Sequence, residues 1–209
     1  MSPNESRPQA AAAAGPDTTP TSPPGTLDTT ALKHRWIWIV TGPTASGKTS
    51  VAKALAAYLD FPFIEGDDYH PPSNIAKMTR GTPLTDADRA GWLATLRAYE
   101  SSSSNLVMTC SALKRAYRDV LRLDDDDDVK IRFIFLDAPE EELTRRAAER
   151  TGHYAGPGLL KSQFEALQRP GEDERDVFVV RTLGRGVEGT VEAVRRVVGR
   201  VMEEEGGAF

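Results

Sequence analysis

Apolar residues in this chain fall into two patterns, short unbroken runs and longer stretches with helical spacing. The runs are "WIWIVT" (Trp36–Thr41), "FPFIEG" (Phe61–Gly66), "LVMTCS" (Leu106–Ser111), "IRFIFLDA" (Ile131–Ala138) and "VFVVRT" (Val177–Thr182). Each is continuous rather than alternating, as expected of a strand covered on both faces. Between them, Val51, Leu55, Tyr58 and Leu59 form one helical stripe. Val187, Val191, Val194, Val198, Val201 and Met202 form another along the final helix. A third helix has a legible start: Thr85 is an N-cap, Asp88 stands three residues on, and Leu84 can staple the first turn. Trp92, Leu93, Leu96 and Tyr99 then face inward. This alternation predicts an α/β fold, a three-layer sandwich around a five-stranded parallel sheet.

Polar composition sets the boundaries. Residues 1–34 are Pro, Ala, Thr and Ser with few bulky apolar side chains, so they cannot offset their ordering entropy and read as a disordered tail. A transit peptide is the competing reading, weakened by Glu5, Asp17, Asp28, the prolines and the scarcity of cations. The folded domain is expected over 35–204, with a short C-terminal tail at 205–209. "SSSSN" (Ser101–Asn105) and "DDDDD" (Asp124–Asp128) read as loops, the acidic run as a solvated one rather than a metal site. The net charge of −5 argues against a general nucleic-acid or membrane-surface binder. No stretch reaches membrane-spanning length. Cys110 is the single cysteine, which fits a reducing compartment, with cytoplasm the expected location.

The first strand runs into Gly42-Pro43-Thr44-Ala45-Ser46-Gly47-Lys48-Thr49-Ser50, which satisfies G-x-x-x-x-G-K-[ST] between a strand and a helix. Such a loop curls so that successive amides face phosphate oxygens, and the helix start adds unpaired N–H groups and a positive dipole end. Lys48 is expected on the β and γ phosphates and Thr49 on Mg²⁺. The chain therefore binds a nucleoside triphosphate. The guanine-reading and switch motifs of a GTPase are absent. "FIFLDAPEE" (Phe133–Glu141) comes nearest to the paired acids of an AAA-type ATPase, but Pro139 makes a different loop. A small-molecule kinase fits better.

Asp67 follows the second strand, at the sheet edge where open α/β folds bind ligands. A carboxylate there can take the proton of an acceptor hydroxyl, hold metal-bound water, or do both. Asp68 reads as a turn cap. Cys110, at the end of a buried run, reads as an inert thiol, and Ser111 beside it as a polar contact to ligand.

"GDDYHPPSNIAKMTRGTPLTDADRAGWL" (66–93), "CSALKRAYRDVLR" (110–122), "RAAERTGHY" (146–154) and "SQFEALQRPGEDERDV" (162–177) together resemble the gluconokinases, over about Trp36 to Val201. The resemblance implies transfer from ATP to the 6-hydroxyl of D-gluconate, giving 6-phosphogluconate for the pentose phosphate route. It also implies Mg²⁺, an adenylate-kinase-like P-loop fold with a helical lid at about 140–165, and a homodimer. His70, Asn74 and Lys77 share one helix side after Pro71-Pro72 and would hold the polyol, Lys77 having a solvent-facing role as its alternative. Lys114 and Arg118 lie one turn apart, Arg118 being the better carboxylate clamp; an ion pair with Asp119 or Asp88 is its alternative. Arg146 and Arg150 project from one lid-helix face toward the phosphates, against the bland reading of surface Glu142–Arg146 pairing. Gly152 to Gly158 supplies hinge freedom, and the Gly156-Pro157-Gly158 insert departs from the family pattern. The loop Leu183–Gly189 would pass near the adenine.

Two other readings stay open from sequence. A shikimate kinase would carry a Gly-Gly pair after the third strand, where this chain has "CSALK". A non-catalytic nucleotide sensor would lack the acceptor-side groups, which are present.

Overall fold

The computed structural model describes residues 26, 27, 29, 32–102, 104–122, 128–149 and 157–205. Arg150, the Gly152–Gly156 part of the lid exit, Asp124–Asp127 and residues 1–25 of the tail lie outside them. Five parallel strands, β1 (Arg35–Thr41), β2 (Phe63–Ile64), β3 (Leu106–Thr109), β4 (Val129–Asp137) and β5 (Val177–Arg181), pair in the order β2-β3-β1-β4-β5. Among the described residues no helix is long and apolar enough to cross a membrane.

Continuous apolar runs become strands here because both sheet faces are covered. From β1, Trp36, Trp38 and Val40 enter the core under helix α1 (Lys48–Leu59) and helix α7 (Val187–Glu204). Ile37 and Ile39 enter the opposite core with Trp92, Leu93 and Leu96 of helix α3 (Asp86–Ser102) and Leu121 of helix α4 (Arg115–Leu121). Two residues of the expected stripes do not follow: Tyr99 is 38% exposed and Val187 57% exposed. Tyr99 instead meets the Tyr69 ring edge-on at 5.6 Å. The chain also touches the core ahead of Arg35, since Leu27 and Leu32 pack on the α1 face and the Leu27 amide donates to the Tyr58 carbonyl at 2.8 Å.

The second strand is shorter than its apolar run. Pro62 precedes it, and a 3-10 turn at Gly66–Tyr69 ends it, followed by helix α2 (Pro72–Thr79). The start of α3 forms as a reciprocal cap: the Asp88 amide donates to Thr85 Oγ1 (3.2 Å), and the Thr85 amide donates to Asp88 Oδ2 (2.9 Å). Helix α5 (Glu140–Glu149) and helix α6 (Pro157–Ala166) occupy the region expected for the lid.

One expectation is overturned outright. Arg118 is 0% exposed, and its Nε and Nη2 donate to the Glu174 carboxylate at 2.8 and 2.6 Å. Its Nη1 donates to the carbonyls of Ala112 and Gln168. The fork that would clamp a ligand carboxylate instead locks α4 to the 168–176 segment, and the partner is neither Asp119 nor Asp88. Hydrogen bonds from Arg118 hold the Glu174 carboxyl down at about 2. A second buried acid has no such support. Neither oxygen of Glu100 in α3 has a hydrogen-bond partner among the described residues, and burial pushes its pKa up from 4.5 to about 8 despite Arg97 and Arg35 nearby.

Removing one member of the buried pair strands the other, so Arg118→Met is expected to cost about 3–5 kcal/mol. The urea midpoint reports it, and an unchanged midpoint would show that the pair does not anchor the segment. For Glu100 the folded state keeps its proton to about pH 8, while the unfolded chain releases it near 4.5. Its contribution is thus present below pH 4.5 and lost as pH rises to 8. Thermal midpoints measured from pH 5 to 9 should fall in the wild type and flatten in Glu100→Gln.

Candidate active site

Because the strands are parallel, their carboxyl ends share one edge, and β1, β2 and β3 each deliver a loop to it. From β1 comes the phosphate loop. Gly42 takes a φ of +136°, and a Cβ there would sit 2.8 Å from the Leu136 carbonyl oxygen, so only glycine lets the loop lie against β4. Ala45 is held at a φ of 63°, a left-handed conformation that costs a non-glycine residue about 1–2 kcal/mol. The loop feeds α1, whose cap residue Gly47 offers no side-chain hydrogen bond and whose first turn holds no acid. That helix start is open to an anion. Ser46 Oγ is buried without a hydrogen-bond partner among the described residues, a hydroxyl that a phosphate oxygen would satisfy. Lys48 Nζ donates to the Pro43 carbonyl at 2.9 Å. Thr49 and Ser50 are exposed on the first turn.

The turn after β2 carries Asp67. Here the chain passes β3 so closely that a Cβ on Gly66 would overlap the Thr109 carbonyl oxygen. Thr109 Oγ1 accepts the Gly66 amide at 3.0 Å, and Trp92 Nε1 donates to the Gly66 carbonyl at 2.8 Å. From β3 comes Ser111, whose carbonyl accepts Thr41 Oγ1 (2.6 Å) and the Gly42 amide (3.3 Å). Asp67, Lys48, Thr44, Ala45, His70 and Ser111 line one cavity of about 390 Å³. Asp68, expected only to cap a turn, lines it too.

His70 is 7% exposed and stacks on Trp92 with ring centroids 4.0 Å apart. Burial, then the charge of Arg89, lowers its pKa to about 4, so the ring is neutral at pH 7. Asn74 fixes the tautomer. Its Nδ2 donates to the Asp88 carbonyl at 2.8 Å and lies 3.4 Å from His70 Nδ1. Nδ1 is therefore the acceptor and Nε2 carries the hydrogen, 3.9 Å from Asp67 Oδ1. Asn74 acts behind His70 rather than on the cavity wall.

The other expected acceptor-side cations are not on that wall. Lys77 Nζ pairs with Asp88 at 2.6 Å and Lys114 Nζ with Asp86 at 2.7 Å. Together with buried Arg118, they brace α2, α3 and α4. Cys110 is buried and its thiol is pushed up by burial, in keeping with an inert role. Sequence reasoning missed Arg89, Trp92 and Gln163, all on the cavity wall. Gln163 of α6 accepts the Thr44 amide at 2.7 Å and donates to Thr44 Oγ1 at 3.0 Å, tying the lid region to the phosphate loop. Only a contact spanning 119 positions reveals it.

On the other flank of the loop lies a second cavity of about 250 Å³, lined by Ser46, Gly47, Arg146, Arg185, Val187 and Thr190 among others. Arg146 reaches it, with Nε on Glu142 (2.7 Å) and Nη2 on the Thr182 carbonyl (3.1 Å). The Glu142–Arg146 pair thus forms within the cavity wall. Arg145 and Glu142 also pair, at 2.9 Å.

Residues 37–170 match the sequence family described as AAA domain (AAA_33). A probable gluconokinase of Schizosaccharomyces pombe is 38% identical over 185 residues, covering 85% of this chain and 95% of that protein. The gluconokinase of Gluconobacter oxydans is 47% identical over 147 residues, covering 68% of this chain and 80% of its own. A gluconokinase crystal structure from Sinorhizobium meliloti superposes with a TM-score of 0.70 at 36% identity, covering 82% of this chain and 98% of that one. On these matches the chain belongs to the gluconokinase family.

Proposed function

We propose that this protein transfers the γ-phosphoryl group of ATP to the 6-hydroxyl of D-gluconate, yielding 6-phospho-D-gluconate and ADP. The observation that carries the reading is the shared cavity: the phosphate-loop lysine and a strand-end aspartate line one space of about 390 Å³. That volume lies in the range of small-molecule sites. Triphosphate enters along the loop, where main-chain amides, Ser46 Oγ and Lys48 meet its β and γ oxygens. The purine lies toward the second cavity, where exposed Val187 offers it an apolar contact.

Asp67 is the base of this proposal. As the 6-oxygen forms its bond to the γ phosphorus, the bond to the β-bridging oxygen breaks and the hydroxyl proton passes to the Asp67 carboxylate. His70, neutral and fixed by Asn74, presents Nε2–H on the Asp67 side, 3.9 Å from its carboxylate. Arg146, with Arg150 four positions on in sequence, supplies positive charge where the leaving phosphate gains negative charge. Mg²⁺ fits the donors present, since Thr49 Oγ1 and Asp67 are hard oxygen ligands. Among the described residues no group of three His, Cys, Asp or Glu could hold an ion alone, which suits a metal that arrives on nucleotide phosphates. Held there, Mg²⁺ would supply positive charge to the triphosphate. The same reading includes a homodimer acting in the cytoplasm, supported by family membership and by the lone, buried Cys110.

Purified protein with Mg-ATP is expected to release ADP with gluconate, and not with shikimate, adenylylsulfate, AMP or glycerate; faster turnover of another acceptor sinks the assignment. Lys48→Ala should lower kcat by about 10²- to 10³-fold. Asp67→Asn should bind ATP normally, by calorimetry, while turnover falls by about 10²- to 10⁴-fold. A retained rate in Asp67→Asn together with a lost rate in Asp68→Asn would move the base to Asp68.

A further inference from the structure

A linear sugar acid has two ends, and only the hydroxyl end has been accounted for. Its carboxylate needs a cation, and the expected ones are committed elsewhere: Lys77 to Asp88, Lys114 to Asp86 and Arg118 to Glu174. Arg89, in the first turn of α3, lines the cavity and makes no ion pair with a described carboxylate.

Its side chain is anchored on one edge only. Nη1 donates to the Leu84 carbonyl at 2.6 Å and reaches Tyr117 Oη at 3.5 Å, and the guanidinium lies 5.6 Å from the centre of the Tyr117 ring. Nε–H and both hydrogens of Nη2 have no acceptor among the described residues. Those three donors form the side of the fork that matches a carboxylate's two oxygens. Asp86 is near, but its carboxylate already accepts Lys114 and the Tyr117 hydroxyl. The charge of Arg89 is felt inside the site, since it contributes to keeping His70 neutral.

We infer that Arg89 is the carboxylate clamp of the acceptor site and the residue that selects a sugar acid over a neutral polyol. The inference rests on the gluconate-kinase reading and assigns its specificity to one side chain. Orientation follows from the same wall. Asp67 and Asp68 repel a carboxylate, so the acid end turns to Arg89 and the far hydroxyl to Asp67.

The test compares D-gluconate with D-gluconamide, which has the same chain and a neutral end, as substrates or, where turnover is slow, as competitive inhibitors. Wild type should prefer the acid. Arg89→Met should raise KM for gluconate by about 10- to 100-fold, the loss of a charge-assisted bidentate contact. It should leave KM for ATP unchanged and erase most of the preference over the amide. Arg89→Lys, which keeps charge and loses the fork, should fall between, and it secures the answer should the methionine variant not fold. A folded Arg89→Met or Arg89→Lys enzyme with the full wild-type preference overturns the clamp while leaving the kinase reading intact. A wild type without gluconate-dependent turnover overturns both.

Discussion

At Gly66 the chain leaving β2 passes β3 with no room for a side chain, and Asp67 is the next residue. Its backbone is pinned from both sides, by Thr109 Oγ1 on the amide and by Trp92 Nε1 on the carbonyl. The same indole stacks on His70. One buried tryptophan thus sets the Asp67 turn and the ring that faces Asp67. A similar constraint acts at Gly42, where the phosphate loop presses on the carbonyl of Leu136. Two backbone approaches that exclude a Cβ place nucleophile-side and phosphate-side groups on one edge. Ser111, which accepts both Thr41 and Gly42, closes the gap between them.

Charge is partitioned around this edge. Cations close to the Asp67 cavity are committed to structure: Lys77–Asp88, Lys114–Asp86 and Arg118–Glu174 each join separate elements. A buried pair such as Arg118–Glu174 gives little net stability over apolar packing, yet it tolerates only one arrangement of its partners. Here that arrangement fixes α4 and the 168–176 segment, so that Arg169 meets Asp137 at the end of β4. The frame is rigid because its charges are satisfied. Arg89 differs in having three of its five donors without an acceptor among the described residues.

What was legible in the sequence was local. The phosphate loop declares itself through residues within one turn, and the strands through unbroken apolar runs that a two-sided core demands. The cap of α3 was readable as Thr85 and Asp88, three positions apart. Long-range pairing was not readable. Arg118 looked like a ligand clamp because its partner stands 56 residues on, and no spacing rule links the two. Arg89 stands in the first turn of a helix legible by its cap, Thr85 and Asp88, and no spacing rule marks it as a ligand contact. Periodicity also overreached at Val187, which continues the α7 stripe in sequence but sits at the helix start beside the second cavity.

Two cavities of about 390 and 250 Å³ flank a single loop, and Ala45 lies on the wall of both. Its left-handed backbone is what lets one peptide segment turn a face to each side. On the proposed reading, a phosphoryl group on that loop would sit between the two spaces. Leu159 and Gln163 of α6 and Ala147 of α5 complete the acceptor wall, and Gln163 holds the Thr44 amide. The lid region therefore contacts the phosphate loop directly. Any ligand that takes the Thr44 amide for itself must displace the Gln163 carboxamide oxygen, so occupancy of the loop and the position of α6 are linked through one hydrogen bond. Leu84, Ile75 and Met78 add apolar surface to the same wall, which a bound acceptor would cover and so keep water from the transfer. For a kinase that constraint matters as much as affinity, because water competes with the acceptor for the same phosphorus.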